Sequence, residues 1–246
     1  MAQPFEIDQQ IEVPAPPEQA WQAVSTGEGL DAWFMGTSEV QPGEGGTVRT
    51  ALPGFTMEAT ITAWDPPNRL QHESPVGEDG TQHTFEYVVE GRERGSSIRW
   101  IHSGFLGGDW EAEYEALKQG DPAYFHKLGQ YLTYFLGRKA TPVNAFGPTV
   151  EDDEQAWKLI RTGLGLGGPV AVGERVRLTP EGLDPIEGEV DWVSKDFLGV
   201  RTDDAMYRFI HGFSGPLVVG HHLFAESVDR RRAEEAWTAW LNGLVA

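Results

Sequence analysis

Residues 39–105 constrain the fold most, because they form short alternations of apolar and polar residues separated by turn signals. Pro42-Gly43-Glu44-Gly45-Gly46, Pro66-Pro67-Asn68 and Gly77-Glu78-Asp79-Gly80 mark the turns. Between them the alternation predicts strands at 47–51, 56–64, 69–74, 82–90 and 96–102. Phe85, Tyr87 and Val89 share one face, and so do Ile98, Trp100 and His102. Strands this closely spaced read as an antiparallel meander.

The flanking segments say what covers that sheet. Residues 5–13 alternate as a further strand, with Phe5, Ile7, Ile11 and Val13 as apolar members, until Pro14 and Pro16 stop it. Pro16-Pro17-Glu18 opens a short helix whose apolar face is Ala20, Trp21 and Val24, since proline suits a first turn and Glu18 suits the positive end of the helix dipole. Leu30, Trp33 and Phe34 predict a second short helix. Residues 110–138 read as helical with an interruption near Gly120-Asp121-Pro122, and their second part places Tyr124, Leu128, Tyr131, Leu132 and Phe135 on one stripe. An amphipathic helix after a sheet is expected to pack on it.

Composition narrows the function classes. Nineteen Lys and Arg against 38 Asp and Glu give a net charge of −19, which disfavours nucleic acid and anionic membrane surfaces as partners. There is no cysteine, so disulfides, thiolate metal sites and cysteine nucleophiles are excluded. The opening MAQPFEIDQQ has neither a basic nor an apolar targeting region, and no later apolar run approaches membrane-spanning length, so a cytoplasmic location without membrane insertion is expected.

The residues Ile11-Glu12-Val13-Pro14-Ala15-Pro16-Pro17-Glu18-Gln19-Ala20-Trp21-Gln22-Ala23-Val24, followed by Gly29-Leu30-Asp31-Ala32-Trp33-Phe34, resemble the opening of the START-like, helix-grip (SRPBCC) superfamily. Within it they are most similar to the family of the activator of the 90-kDa heat-shock protein ATPase. Ser103-Gly104-Phe105 at the end of the last strand and the aromatic helix that follows agree with that pattern, over residues 5–139. The resemblance implies an α+β fold in which a curved antiparallel sheet grips a long C-terminal helix, with a cavity between them that in many relatives binds an apolar small molecule.

The second half repeats the first. Glu18-Gln19-Ala20-Trp21 recurs as Glu154-Gln155-Ala156-Trp157, Val24 as Ile160, Thr26-Gly27 as Thr162-Gly163 and Gly29-Leu30 as Gly165-Leu166, all at one offset. Strands are expected at 174–179, 186–193, 198–202, 205–211 and 217–225, in a register that pairs His102 with His222. A closing helix at 228–244 carries Ala236, Trp237, Trp240, Leu241 and Leu244 as its stripe. No equivalent of the first strand is evident. The expected organisation is a START-like domain at 1–140 and a shortened, degenerate copy at 141–246.

Several motifs have plainer readings than the ones they invite. Gly163-Leu164-Gly165-Leu166-Gly167-Gly168 fits G-x-G-x-x-G, but it follows a helix and precedes a strand, the reverse of a dinucleotide site, and reads as a helix stop. Asp152-Asp153-Glu154 reads as a helix start. Arg230-Arg231-Arg232 is expected to pair with neighbouring acids such as Glu234 and Glu235. The histidines show no metal-ligand spacing, so neither a metal nor a cofactor is expected.

The resulting expectation is a protein that binds a small hydrophobic or amphipathic ligand against Trp33, Phe85, Tyr87, Trp100, His102, Tyr124, Leu128 and Tyr131, with no catalytic residue assigned. A regulator of a chaperone ATPase, acting through its surface, is the first alternative. A polyketide cyclase- or dehydratase-like enzyme, with His102 and Tyr87 or Tyr131 moving protons, is the second. A protein partner and a homodimer are both compatible with these readings.

Overall fold

The structure is a computed structural model that describes residues 2–246. It divides into two compact units, Met1–Lys139 and Ala140–Ala246.

The first unit opens with strand β1 (Gln3–Val13) and the short helices α1 (Pro17–Ser25) and α2 (Gly27–Leu30). Strands β2 (Thr37–Val40), β3 (Thr47–Leu52), β4 (Phe55–Asp65), β5 (Arg69–Glu73), β6 (Gln82–Arg92) and β7 (Gly95–Leu106) follow, and helix α3 (Trp110–Gln130) closes the unit. All seven strands form one antiparallel sheet in the order β1-β7-β6-β5-β4-β3-β2. The meander therefore folds as its alternation dictates, and the first strand returns to pair with the last. Helix α3 lies across β1 and β7, and α1 lies against β6 and β7.

Two local details differ from the expectation. The second short helix starts at Gly27 instead of Leu30, because the Thr26 hydroxyl accepts a 3.0 Å hydrogen bond from the Gly29 amide and caps it there. Trp33 and Phe34 lie in the turns beyond it, and the Trp33 indole N–H donates to the Ala23 carbonyl at 2.9 Å, fixing the ring in the core. Helix α3 also runs straight through Gly120-Asp121-Pro122 and ends in a wider π turn, Tyr131–Phe135. Pro122 removes one backbone donor, a local cost of about 3 kcal/mol. Burial of Ala123, Phe125 and Leu128 on the same stretch outweighs it.

The second unit comprises β8 (Thr141–Thr149), α4 (Asp153–Gly163), β9 (Arg175–Leu178), β10 (Ile186–Val193), β11 (Phe197–Arg201), β12 (Ala205–His211), β13 (Pro216–Leu223) and α5 (Arg230–Gly243). Its six strands are antiparallel in the order β8-β13-β12-β11-β10-β9. Strand β8 is the first strand that the sequence hid. Pro142 and Pro148 break its pattern, yet β8 lies at the sheet edge, where missing backbone donors are tolerated. Val143, Val190, Phe209 and Val219 form a core with Ile160 of α4 and Trp237, Trp240 and Leu241 of α5.

The plainer readings of the second-half motifs hold. Asp152 caps α4 by accepting from the Gln155 amide at 2.7 Å. Gly165 adopts φ 73°, and the Leu166 amide reaches back to the Arg161 carbonyl at 2.9 Å, so the glycine run ends a helix. Arg230 and Arg231 pair with Glu234 and Glu235 one turn on, at 3.0 and 3.7 Å.

Candidate functional site

Residues directly opposite one another on neighbouring strands share a face. The register of the first sheet places Leu70, Tyr87, Trp100 and Gln9 in one row and His72, Phe85, His102 and Ile7 in the next. This is the inner face, since Leu70, Tyr87, Trp100 and His102 are all buried. The rings lie close to parallel. Phe85 stacks on His102 at 4.1 Å and on Trp100 at 6.0 Å between centroids, while Tyr87 stacks on Trp100 at 5.9 Å and His72 on Phe85 at 5.3 Å. Trp33, fully buried, meets Trp100 and Tyr87 edge-on at 6.0 and 6.4 Å.

Five of the eight residues singled out from the sequence, Trp33, Phe85, Tyr87, Trp100 and His102, thus form one aromatic wall. The other three belong to α3 and its π turn. Tyr124 lies against Phe34 at 5.7 Å, Leu128 is fully buried, and Tyr131 is mostly buried.

Polar groups gather at the His102 end of the wall. The His102 Nδ1 is 2.7 Å from the Asp121 Oδ2 of α3, and both side chains are buried. On the other side of the ring, His102 Nε2 is 3.0 Å from His83 Nδ1, and His83 Nε2 is 3.6 Å from a carboxylate oxygen of Glu113. Four ionisable groups therefore stand in series, from a partly exposed carboxyl on the first turn of α3 to a buried one about two turns later.

Burial and charge tune their surroundings. Burial, with a smaller contribution from repulsion between their protonated rings and a protonated His102, pulls both His72 and His83 down to about 4. Glu113 is raised, first by burial and then by Asp79. Burial and then the Asp121 charge push Tyr124 up to about 12 and Tyr87 up as well. Among the described residues, two buried polar atoms of the inner face, His72 Nδ1 and Trp100 Nε1, have no hydrogen-bond partner.

The sequence reading did not include Asp121, His83, His72 or Glu113. His72 and His83 were legible, because each has the parity of the inward residues of its own strand. Asp121 was not, because the expected break at Pro122 removed it from the helical stripe that it shares with Phe125 and Leu128.

The second unit holds a shorter series, Lys195, Asp153 and His211, with contacts of 3.0 and 3.1 Å. It carries a groove of about 690 Å³ lined by Leu159, Gly163, Thr179, Ala239, Trp240 and Leu244, in which Glu181 is the one ionisable side chain. Among the described residues no group of three or more carboxylate or imidazole side chains is arranged to hold a metal ion. No helix among them is long and apolar enough to cross a membrane.

Residues 4–118, nearly the whole of the first sheet and the start of α3, match the profile of the family described as polyketide cyclase / dehydrase and lipid transport. The first unit has the START-like helix-grip fold. Solved structures similar to this START-like unit include the protein MLL2253 of Mesorhizobium loti, with 22% identity, 52% of this chain and 96% of that chain covered, and a TM-score of 0.47. The Aha1 dimer of Colwellia psychrerythraea is similar at 21% identity over 52% and 96% of the two chains, with a TM-score of 0.43. CalU16 of Micromonospora echinospora is similar at 20% identity over 53% and 76%, with a TM-score of 0.41. None of the curated protein sequences matches the chain significantly.

Proposed function

We propose that the START-like unit binds a small hydrophobic or amphipathic molecule between the inner face of its sheet and α3. The ligand's apolar body would lie against Trp33, Phe85, Tyr87, Trp100, Tyr124, Leu128 and Tyr131, and its polar end would meet His102. One observation carries this reading: His72 Nδ1 and Trp100 Nε1 are buried on the aromatic face without a protein partner. A polar atom left so costs about 1–3 kcal/mol. A ligand that supplies the missing partners would recover it. The family's description, which includes lipid transport, is in keeping with an apolar guest.

Native mass spectrometry of the purified chain, together with tryptophan quenching by fatty acids and by neutral aromatic probes, tests the proposal. A retained or added ligand is expected, with affinity about tenfold weaker in His102→Leu, the equivalent of one lost hydrogen bond. Absence of any adduct and of any saturable quenching would reject it.

A second reading, an enzyme that moves a proton on its bound substrate, draws on the His102–Asp121 pair, because a buried imidazole oriented by a carboxylate suits general acid–base work. Turnover by the wild type and its loss in Asp121→Asn, with ligand affinity unchanged, would separate it from simple binding.

The second unit is proposed to be a shortened copy of the first. Both sheets pair their first strand with their last and then run as a meander, and the repeated Glu-Gln-Ala-Trp falls in α1 and α4 alike. Ala20 and Ala156 are both fully buried. The sequence register needs one correction: His221, not His222, faces the helix side, its ring 4.4 Å from Trp237. A bulge between Pro216 and Val218 shifts the pairing of β13 with β8.

A further inference from the structure

The series Glu113, His83, His102 and Asp121 contains three contacts, and each needs one proton to become a hydrogen bond. Two neutral imidazoles bring two protons. With two protons, the arrangement that satisfies the two short contacts is fixed. His102 donates from Nδ1 to Asp121 and accepts at Nε2 from His83 Nδ1, which leaves a bare lone pair on His83 Nε2 facing Glu113. That third contact is the long one, 3.6 Å, as two acceptors facing each other should be. A third proton, brought by Glu113, would close it.

We propose that these four residues are a proton relay connecting the surface to the interior of the START-like unit. Asp121 then presents to a bound molecule either a carboxylate oxygen or the weaker acceptor oxygen of a carboxylic acid, and that molecule is an apolar compound with a hydroxyl group to meet it. The ligand half of this inference rests on the binding reading above; the relay itself does not.

The transfer balances without any further reactant. Glu113 gives its proton to His83 Nε2, His83 Nδ1 gives its own to His102 Nε2, and His102 Nδ1 gives its own to Asp121 Oδ2. Each imidazole stays neutral and changes tautomer, and one negative charge moves from the buried Asp121 to the partly exposed Glu113. In the first state Asp121 accepts from a ligand hydroxyl. In the second its one proton stays donated to His102 Nδ1, and its other oxygen is a weaker acceptor for that hydroxyl.

The surroundings favour this use over a purely structural His–Asp pair. His83 and Glu113 stand at the accessible end, with side chains about a quarter and a third exposed, so a proton can enter there. Tyr87 and Tyr124, the titratable groups nearest the inner end, both register the charge of Asp121 and are held in the protonated form. His72, across the ring of Phe85, and Asp79, beside Glu113, are the remaining titratable groups that act on the series. Burial holds His72 and His83 neutral above about pH 4, as a relay through neutral rings requires.

The test is the tautomeric state of His83 and His102, read from imidazole nitrogen shifts in the full ¹⁵N-labelled chain between pH 7.5 and 4.5. In the wild type both rings are expected to move together from the Nδ1–H towards the Nε2–H form on acidification. In Glu113→Gln both should stay Nδ1–H, because the glutamine amide donates to His83 Nε2 and supplies no proton. The substitution is at a partly exposed position and leaves the fold intact. Independent changes in the two rings, conversion of either to imidazolium alone, or wild-type behaviour in Glu113→Gln would overturn the relay. A second arm adds 2-naphthol, a neutral naphthyl alcohol, at pH 4.5, where binding to the carboxylate form of Asp121 should hold both rings towards Nδ1–H. 2-Naphthol that binds without moving the rings overturns the ligand half. 2-Naphthol that does not bind, with the acid-driven switch intact, counts against the binding reading and leaves the relay standing.

Discussion

Replacing His72 by phenylalanine should flatten the acid limb of the first unit's stability profile. His72 lies on the inner face of β5, stacked on Phe85, with Nδ1 unpartnered, and it titrates near 4 instead of the ordinary 6.5. Folded His72 thus binds its proton only near pH 4, whereas the unfolded residue binds it near 6.5. Between those values the unfolded chain holds more protons, so stability falls as pH falls. The contribution is fully present above about pH 6.5 and is lost by about pH 4. A separation of about 2.5 pH units at about 1.4 kcal/mol per unit amounts to roughly 3.5 kcal/mol. His72→Phe keeps the stacking ring and removes the titrating group. Urea unfolding at pH 7.5, 6.5, 5.5 and 4.5, with amide exchange in β5 and β6 to confine the readout to the first unit, measures the effect. Wild type should lose about 2.5 kcal/mol more than the variant across that range, which stops short of the folded value. The variant keeps a residual slope from His83, which is also lowered to about 4. Any volume misfit of the phenyl ring would lower the whole curve without restoring the slope. Equal slopes in the two proteins would refute the reasoning.

Two further outcomes concern the second unit. Asp191 and Arg208 form a buried ion pair at 2.5 Å, so Asp191→Leu should destabilise that unit by about 3–5 kcal/mol in chemical unfolding by stranding the guanidinium. Asp152→Ala removes the cap of α4 and should cost about 0.5–2 kcal/mol, read as faster amide exchange in the first turn of that helix.

Most of the first unit's wall was legible because strand alternation has a period of two and needs no partner to be read. Once residues 82–90 and 96–102 were strands, the shared faces of Phe85 with Tyr87 and of Trp100 with His102 followed. The same rule would have included His72 and His83. Asp121 lay beyond it, since a proline signals a break in a helix locally and the burial that overrides the break is a property of packing. Strand β8 was hidden for a similar reason: its prolines contradict a strand unless the strand is known to lie at an edge.

The sequence by itself determined the element types, the inward faces and the repeated helix start, all of which depend on neighbours a few residues apart. Tertiary structure alone decided which turn of α3 meets which row of the sheet, and hence that Asp121 faces His102 while Glu113 faces His83. The physical reason is that a hydrogen-bonded series across 19 residues of separation requires two elements to dock within a few tenths of an ångström. Docking of that accuracy comes from the packing of α3 on β1 and β7. No local pattern encodes that packing.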